Sequence, residues 1–597
     1  MAKTRTSEWT ERLNADTKPL SLKLIFRIFS YLGRYKYLLI TGNILCFVAN
    51  FSDLAVINEV KKLIDRSDLY TAPLFSLIGP ILILCLMNRF FGYTQAVLTF
   101  IASYQAMRRI RNHFFQKLLS LSKSFFDTTK SGWLVARNTS DLNYIHMFLS
   151  WSMMMLVFLL TTGIIAIVRM INISVVLLIP CIFTVPVIGF LAFKYKKGMS
   201  MAQRKARRKN SEMIANLAEN VRGIKIVQAF SREKHNSSYF NLLNRLNQYL
   251  EMRIARINAI YIPSLDFIGI FTTIIAITFG SIIMHSGWKI FSQINLTTGD
   301  LVAYVLYMNA IIGPVRQFSE IYTMSIGAMA ASERIFEVID YKPEVVDLPE
   351  AGKADSLFGE IELNNVKFRY QKDLPWVLKG INLKIKAGQS VAIVGKTGSG
   401  KTTFSGLISR FYDTTEGEVL IDGRNVKNYT QESLHQNMGI VLQQGFLFSG
   451  TVYENLRLVN ENYNDEQIQN LAKKLGTHRT IMNFPHGYET QILEGGQNLS
   501  MGQRQIISLT RALIADPGIL ILDEPTSSMD VFTESVIQEA LDKLIKGRTS
   551  IIIAHRLSTI RNADKIVVLS DGEILETGNH KELLAKKGTY HSLVSVK

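Results

Sequence analysis

The sequence predicts two halves of different fold class, an all-α N-terminal half that crosses a membrane and a C-terminal half of the α/β class. Three observations support this prediction. Six long apolar runs lie before residue 325, whereas from Gly359 onward short β-type runs alternate with amphipathic helical stretches. A glycine-rich segment in the second half has the pattern of a phosphate-binding loop. With 597 residues the chain is long enough for several domains, since one domain usually has ~100–200 residues.

The composition agrees with a membrane protein. Hydrophobic residues make up 48% of the chain and charged residues only 19%, below the ~25% charged residues of a typical soluble protein. Cys46, Cys85 and Cys181 are isolated within apolar runs, so we expect packing roles and no metal site for them. The N-terminal residues are polar and of mixed charge, so no cleavable signal peptide is expected.

Residues 21–36 begin the membrane half with basic and apolar residues at helical spacing, which is typical of an interfacial helix on a membrane surface. A helix needs about 20 apolar residues to cross a bilayer, and each of the runs that follow has about that length or more. Buried helices of a large soluble protein would not explain so many runs of this length. We therefore expect six spans, at 37–58, 73–105, 146–170, 174–194, 261–285 and 301–323.

The net charge of +18 is distributed in a way that predicts membrane orientation. Basic residues are concentrated after the second and fourth apolar runs, at 108–130 and 194–208, and are fewer in the other connections. By the positive-inside rule, these two connections and both termini are cytoplasmic. We therefore expect an integral, multi-pass protein of the cytoplasmic (plasma) membrane, and the basic excess no longer requires a nucleic-acid partner.

The two long connections are predicted to be helical. Residues 195–260 contain no proline and many helix-forming residues, and structureless loops longer than ~12–15 residues are uncommon. Two helical limbs of about 30 residues each would project about 45 Å at 1.5 Å per residue. We therefore expect the membrane helices to continue into the cytoplasm and to turn back near residues 126–133 and 223–232.

Charged residues within the apolar runs include Asp53, Arg89 and Asp266. A charge at mid-membrane costs about 2.5–3.5 kcal/mol on insertion scales, so it normally faces a partner or water. We expect Arg89 to pair with Asp53 or Asp266 between helices. The alternative is that these side chains line a substrate path.

The glycine-rich segment follows the β-type run 390–394 and reads G-x-x-x-x-G-K-T. Glycines allow backbone N–H groups to face phosphate oxygens, and the next helix adds its positive N-terminal end. Lys401 is expected to reach the outer phosphates of a nucleoside triphosphate, and the Thr402 hydroxyl is expected to bind Mg²⁺. The predicted nucleotide-binding residues of this segment are Gly395, Lys396, Thr397, Gly398, Ser399, Gly400, Lys401, Thr402 and Thr403.

Two further β-type runs end in polar residues. The run 518–522 leads into Asp523 and Glu524, and the run 549–554 leads into His555. Each pattern alone is more often a turn or a structural histidine, but ligands of open α/β sheets bind where strands end. One carboxylate suits Mg²⁺ and the next suits polarising an attacking water. Three such strand ends in one domain favour a shared site.

In the identity, order and spacing of these motifs, residues 359–597 resemble the nucleotide-binding domain of ATP-binding cassette (ABC) transporters. Three more segments match motifs of that family: Val441-Leu-Gln-Gln444, Leu499-Ser-Met-Gly-Gln503 and Thr526-Ser-Ser-Met-Asp530. The resemblance implies ATP and Mg²⁺ as cofactors and adenine stacking on Tyr370. It implies catalytic roles for Gln443, Glu524 and His555, and metal ligands at Thr402, Gln443 and Asp523. It also implies a D-loop residue at Asp530. The signature residues, which would contact a partner's ATP, are Ser500, Met501, Gly502 and Gln503.

The N-terminal half resembles the exporter type of the same family. Phe125-Phe-Asp127, Arg137 and Asp141 resemble its first coupling region, and Gly223–Phe230 resembles its second. The implied fold is an all-α six-helix transmembrane domain followed by an α/β P-loop ATPase domain. The implied domains are the N-terminus with an interfacial elbow helix (1–36), the transmembrane domain (37–325), a helical extension and linker (326–358) and the ABC nucleotide-binding domain (359–597).

One residue departs from the family pattern, because Met501 lies where the signature normally has glycine. In this family two nucleotide-binding domains enclose two ATP molecules, each phosphate loop facing the partner's signature. The resemblance therefore implies a dimer of half-transporters in a lipid bilayer, and both a homodimer and a heterodimer with an intact partner signature stay open. The implied function is ATP-driven export of a hydrophobic or amphiphilic small molecule, such as a drug or lipid. Peptide export and an ATP-using membrane regulator or channel are alternatives.

Overall fold

The computed structural model describes residues 21–66, 73–175, 179–285, 296–442, 445–523, 531–553 and 560–595. The chain divides into two compact units. The N-terminal unit holds the described parts of 7–119 and 131–341, and the C-terminal unit holds those of 120–130 and 342–597. The segment 120–130 therefore belongs to the C-terminal unit although its neighbours in sequence do not. The domain boundaries predicted from the sequence stay predictions.

The regular structure of the first 340 residues is helical wherever the structure describes it. Two π-helical turns, at Arg137–Asp141 and Phe148–Ser152, interrupt the third long helical stretch. The helices are α1 (Leu22–Ser30), α2 (Lys36–Ile64), α3 (Leu74–Leu119), α4 (Lys123–Thr128), α5 (Ser131–Ala136), α6 (Leu142–Met147), α7 (Met153–Ile173), α8 (Ile179–Arg222), α9 (Ile224–Ala229), α10 (Glu233–His285) and α11 (Thr298–Ile339).

Four helical stretches among the described residues are long and apolar enough to cross a membrane. They contain the first and third predicted spans and most of the second and fifth. The fourth predicted span lies on α8 from residue 179 onward, and the sixth lies on α11, so each predicted span overlaps a helix. The four stretches are Gly33–Ile64, Leu74–Leu119, Ser131–Ile173 and Glu233–Ile282.

The predicted helical continuation of the spans is confirmed by α8 and α10. These helices run side by side, with the rings of Tyr195 and Tyr261 stacked at 3.7 Å and the Tyr195 hydroxyl donating to Asn258 at 2.7 Å. Asn236 donates to Asn220 at 2.5 Å near the other end of the pair. The turn predicted at 223–232 is the short helix α9, whereas the other turn forms α4 and begins three residues earlier than predicted.

The end of α2 and the beginning of α11 are joined by a polar cluster, which we call the α2–α11 clasp. Lys61 pairs with Asp300 at 2.6 Å. The Asp65 carboxylate accepts hydrogen bonds from the Gly299 backbone N–H (2.9 Å) and from the Thr297 hydroxyl (2.7 Å). Because a Cβ at Gly299 would lie 2.6 Å from both an Asp65 carboxylate oxygen and the Lys61 carbonyl oxygen, the close approach requires glycine.

The predicted interfacial helix α1 is held to the ends of two long helices. The Arg27 guanidinium makes two hydrogen bonds of 2.6 Å to Asp340, directly after α11, and lies 4.1 Å from the centre of the Phe336 ring. Arg109 of α3 donates to the carbonyl oxygens of Tyr31 (3.2 Å) and Leu32 (2.9 Å). This end of α1 is therefore a fixed part of the N-terminal unit.

The C-terminal unit has the predicted α/β class and contains a mainly parallel sheet. Five strands run parallel in the order β11-β3-β10-β9-β6, and β12 pairs antiparallel with β11 at one edge. A second, antiparallel sheet of order β2-β1-β4-β5 was not predicted from the sequence. The strands are β1 (Ile361–Phe368), β2 (Leu378–Ile385), β3 (Ser390–Val394), β4 (Glu416–Ile421), β5 (Arg424–Asn425), β6 (Met438–Val441), β7 (Gly450–Thr451), β8 (Gln491–Ile492), β9 (Ile519–Asp523), β10 (Thr549–Ile553), β11 (Lys565–Ser570) and β12 (Glu573–Gly578).

Strand β3 is the centre of this unit, and all five of its residues are buried. Val391 and Ile393 pack into a core with the antiparallel sheet, whereas Ala392 and Val394 pack into a core with helices on the other face. Burying one such side chain contributes about 1.5–3 kcal/mol, so β3 is fixed from both sides. The helices of this unit after β3 are α12 (Lys401–Ile408), α13 (Gln431–Gln436), α14 (Val452–Arg457), α15 (Asp465–Leu475), α16 (His478–Met482), α17 (Met501–Ile514), α18 (Val531–Ile545), α19 (His580–Ala585) and α20 (Thr589–Ser595).

Candidate functional site

The glycine-rich loop joins β3 to α12. Gly398 (φ 86°) and Gly400 (φ 103°) have left-handed backbone conformations, which side chains rarely adopt. A Cβ at Gly395 would overlap the Leu569 carbonyl oxygen, so this glycine is required by close packing. The loop therefore folds as the pattern of glycines predicts, and it leads directly into the N-terminus of α12.

Lys401 is the first residue of α12, and its side chain turns back over the loop. It is 7% exposed, and its ammonium group donates to the carbonyl oxygens of Gly395 (2.8 Å) and Lys396 (3.0 Å). The buried Ser399 hydroxyl has no hydrogen-bond partner among the residues that the structure describes. An unpaired hydroxyl and an ammonium group beside a helix N-terminus fit a bound phosphate group.

The parallel sheet places Asp523 at the same edge as this loop. Strand β10 lies between β3 and β9, and its residue Ile553 pairs with both Ile393 and Asp523. Groups of three or more His, Cys, Asp or Glu that could hold a metal are absent from the described residues. A hydroxyl and a carboxylate, such as those of the predicted ligands Thr402 and Asp523, are oxygen ligands of the kind that suits Mg²⁺. Four other predicted residues, Gln443, Glu524, Asp530 and His555, lie outside the described residues.

Tyr370 lies beside the loop and is 43% exposed. Its hydroxyl is hydrogen-bonded to the Thr403 hydroxyl at 2.8 Å, so the ring is tied to the first turn of α12. The ring edges of Phe368 and Tyr412 approach it, with centroid distances of 5.0 Å and 5.4 Å. A half-exposed aromatic ring in this position fits the predicted stacking on a base.

The predicted signature residues surround the N-terminus of α17. Ser500 caps this helix by accepting from the Gln503 backbone N–H, and Gln503 accepts from the Ser500 backbone N–H in return. A Cβ at Gly502 would overlap the Thr533 side chain. Met501 is the first residue of α17 and is half-buried. A methionine side chain therefore occupies the end of a helix that could otherwise offer bare backbone N–H groups to an anion.

Two residues after α12 with no predicted role connect this helix to distant segments. The Arg410 side chain is 1% exposed and donates to the carbonyl oxygens of Tyr429 (2.5 Å) and Val346 (3.0 Å). The Tyr412 hydroxyl donates to the Asp127 carboxylate. A basic residue and two aromatic residues directly after the phosphate-loop helix, in Arg410-Phe-Tyr412, were the signal that could have drawn attention to them.

Arg137 and Asp141, predicted as part of the first coupling region, form a buried ion cluster in the N-terminal unit. Arg137 donates to Asp141 at 2.7 Å, and Arg334 of α11 donates to the same carboxylate at 2.5 Å and 2.9 Å. The Asp141 side chain is only 4% exposed. Two guanidinium groups thus share one buried carboxylate and connect the π-helical turn to α11.

The predicted ion pair of Arg89 is wrong. Both Arg89 and Asp53 are exposed on the surface of this single chain, and neither forms a hydrogen bond or ion pair with any residue that the structure describes. Helical spacing indicates depth along a helix but not which helix faces a given side chain. An inter-helix hydrogen bond beside Arg89 comes instead from an uncharged group, since Asn88 donates to the Ala49 carbonyl oxygen at 2.9 Å.

Comparison with known proteins relates both halves to one family. The family model described as "ABC transporter transmembrane region" matches residues 60–315, and the model described as "ABC transporter" matches residues 378–527. The chain is 34% identical to the uncharacterized ABC transporter ATP-binding protein YfiC of Bacillus subtilis (strain 168), over 95% of this chain and 93% of the relative.

Two other relatives have names that describe an activity. The chain is 36% identical to the ATP-dependent lipid A-core flippase of Syntrophus aciditrophicus (strain SB), over 84% of this chain and 82% of the relative. It is 35% identical to the probable multidrug resistance ABC transporter ATP-binding/permease protein YheH of Bacillus subtilis (strain 168), over 86% and 76% of the two chains.

Proposed function

This chain belongs to the ABC transporter family, with a transmembrane region and an ATPase domain fused in one polypeptide, and from that premise we propose that it is one half of a dimeric exporter. As a member of this family it is a membrane protein that binds nucleotide and couples ATP hydrolysis to transport. The observation that supports the proposal best is the ordered phosphate loop, with Lys401 over it and Asp523 at the same sheet edge. Mg²⁺ is generally expected with nucleotide at such a site.

The substrate class we propose is a hydrophobic or amphiphilic small molecule, exported across the cytoplasmic membrane with both termini of the chain cytoplasmic. The apolar composition of the membrane half supports this class. The names of two relatives, a probable multidrug resistance protein and a lipid A-core flippase, are consistent with this class.

The roles we propose for this chain's residues follow the family chemistry. Lys401 neutralises charge on the outer phosphates. Thr402, Gln443 and Asp523 would hold Mg²⁺, which would supply further positive charge at the phosphates. Gln443 positions the attacking water, Glu524 accepts its proton and His555 contacts the γ-phosphate. ATP would close two nucleotide-binding domains and turn the membrane cavity outward, and hydrolysis would reset it.

The partner we propose is a second, different half-transporter that supplies an intact signature. Met501 at the start of α17 would weaken the ATP site that this chain's signature completes. The residues predicted for the site on this chain's own phosphate loop, by contrast, are all of types that can support ATP hydrolysis. A homodimer that tolerates Met501 is the alternative.

The ATPase activity of the purified chain in lipid, alone and as Glu524→Gln, tests this proposal. A heterodimer predicts ATP binding with little hydrolysis by the chain alone, because its phosphate loop lacks an intact facing signature. Strong hydrolysis that Glu524→Gln abolishes would contradict the heterodimer and support the homodimer. Hydrolysis together with ion conductance and no transported substrate would favour the alternative of a regulator or channel.

A further inference from the structure

The segment 120–130 is connected to the phosphate-loop helix through one side chain. Helix α12 begins at Lys401, and Tyr412 follows its end by four residues. The Tyr412 hydroxyl donates to one oxygen of the Asp127 carboxylate, while the other oxygen pairs with Lys123 at 2.6 Å. Burial and, next, the Asp127 carboxylate raise the pKa of Tyr412 above its ordinary value, so the phenol stays a protonated donor at physiological pH.

The ring of Tyr412 faces the predicted base-binding tyrosine. Its centroid lies 5.4 Å from that of Tyr370 with the ring planes at 86°, and 5.5 Å from that of Phe368. Phe368 and Tyr370 are also edge to face, at 5.0 Å and 83°. Because Phe368 and Tyr412 are only 5% and 9% exposed, neither ring can shift without moving the others. The rings of Tyr370 and Tyr412 therefore pack against each other, and a shift of one ring moves the other.

The loop that carries Tyr412 is also fixed to the linker that enters the ATPase domain. Arg410 donates to the Val346 carbonyl oxygen and pairs with Asp347 at 3.1 Å. The linker in turn contacts the segment 120–130, since the Val345 backbone N–H donates to the Ser122 hydroxyl at 2.9 Å. The segment 120–130, the linker and the loop after α12 thus each contact the other two. A displacement of Tyr412 therefore moves the segment 120–130 as well.

We propose that Tyr412 is a positioning residue that transmits occupation of the adenine site to the segment 120–130 through its contact with Tyr370 and its hydrogen bond to Asp127. The proposal rests on the adenine-stacking role proposed for Tyr370. A base stacked on the half-exposed ring of Tyr370 fixes that ring, the contact between the rings fixes Tyr412, and the Tyr412 hydroxyl then holds Asp127 in one position. The segment therefore responds to the base of the nucleotide, in addition to any response to its phosphates.

Thermodynamic linkage makes the effect reciprocal. If a bound base stabilises the docked segment by some factor, the docked segment must tighten nucleotide binding by the same factor. Removing the Tyr412 hydroxyl should therefore weaken nucleotide affinity and segment protection together. A residue that only stabilises the fold would not couple these two quantities.

Hydrogen exchange of the backbone amides of residues 120–130, in the full chain in lipid nanodiscs, tests this link. The probes are the non-hydrolysable ATP analogue adenylyl imidodiphosphate and inorganic tripolyphosphate, each with Mg²⁺. We expect the analogue to slow exchange by about fivefold or more, the lower end of typical coupling, and tripolyphosphate to have little effect. Tyr412→Phe should abolish this slowing and should reduce analogue affinity by the same factor.

Two control variants make the result specific. Tyr429→Phe removes a buried hydroxyl that donates to the Ile421 carbonyl oxygen (3.2 Å) and should leave the slowing intact. Lys123→Met removes the other contact of Asp127 and should also retain it. If Tyr412→Phe does not fold, Asp127→Ala removes the hydrogen bond from the other side and should abolish the slowing.

Three outcomes would overturn the proposal. If the analogue slows hydrogen exchange of residues 120–130 equally in the wild type, in Tyr412→Phe and in Asp127→Ala, the hydrogen bond does not transmit base binding to the segment. Equal slowing by tripolyphosphate would show that the phosphates alone move the segment. Failure of the wild-type chain to bind the analogue would also contradict the nucleotide site itself, so this result is distinct from binding without protection.

Discussion

The half-exposed ring of Tyr370 leads to a kinetic prediction at the scale of one residue. Stacking of a base on an aromatic ring contributes about 1–3 kcal/mol, so Tyr370→Ala should raise KM for ATP by roughly 5–150-fold and change kcat less. Tyr370→Phe keeps the ring and loses only the hydrogen bond to Thr403, so KM should change by about threefold or less. Steady-state ATPase kinetics of the assembled transporter measure both. Equal KM values for the Phe and Ala variants would contradict the stacking role.

Met501 gives a second prediction at this scale. Met501→Gly would leave bare backbone at the start of α17, where the N-terminus of the helix can approach phosphate oxygens. We expect a gain in ATPase rate of about tenfold in the chain alone, from a site completed by a second copy. Ser500→Ala in the same background should remove the gain, because it deletes the cap of α17. An unchanged rate in Met501→Gly would show that this signature is not weakened.

The sequence was informative for residues whose role depends on local structure. The phosphate loop was predictable because its glycines, its lysine and the preceding strand are contiguous, and the observed hydrogen bonds of Lys401 are local. Tyr412 was not predictable because its partner Asp127 is 285 positions away. The pairing of Arg89 failed for the same reason, since no pattern within one helix specifies its neighbour.

The α2–α11 clasp gives a prediction at the scale of an element. Gly299→Ala places a methyl group 2.6 Å from Asp65 and from the Lys61 carbonyl oxygen, so α2 and α11 must separate. We expect destabilisation of about 1–3 kcal/mol, as for an overpacked site, seen as a lower midpoint of thermal unfolding in detergent. Gly163→Ala is the matched control, because a Cβ there meets nothing within 4 Å. Equal midpoints for the two variants would show that the clasp is loose.

The buried carboxylate of Asp141 gives a second prediction for elements. Asp141→Asn leaves the Arg137 and Arg334 guanidinium groups close together without their shared anion. Removing one partner of a buried ion pair typically costs about 3–5 kcal/mol, so we expect a large loss of thermal stability. Glu212→Gln, in an exposed pair with Lys209, should cost at most about 1 kcal/mol. Similar losses in both variants would contradict the importance of burial.

Helices and strands were predictable where a local pattern of residues along the chain is enough to specify them. Apolar length alone identified the membrane helices. The dipeptide Asp571-Gly572 has the composition of a tight hairpin turn, and it joins β11 to β12 with positive φ at both residues. The antiparallel sheet was missed because β1 pairs with β4, whose residues lie about 50 positions later, as Lys367 with Glu416. The π-helical turns were also missed, since they carry no distinct composition.

At the scale of the whole molecule, the distribution of basic residues predicts its orientation in the membrane. With the native cysteines replaced, Ser231→Cys, between α9 and α10, should react with a membrane-impermeant maleimide only after the membrane is opened. Arg66→Cys, just after α2, should react in intact cells. Both positions are exposed in the single chain. The reverse pattern of labelling would contradict cytoplasmic termini.

The assignment of residues 120–130 to the C-terminal unit has a consequence for biosynthesis. A ribosome adds about 5–20 residues per second, so this segment is complete roughly 15–60 s before Tyr412 exists. During that interval Phe125, which is 1% exposed in the finished protein, has no completed unit in which to be buried. The nascent chain therefore carries a segment whose Phe125 side chain is still uncovered, and its maturation ends only when the last-made half is complete and buries that ring.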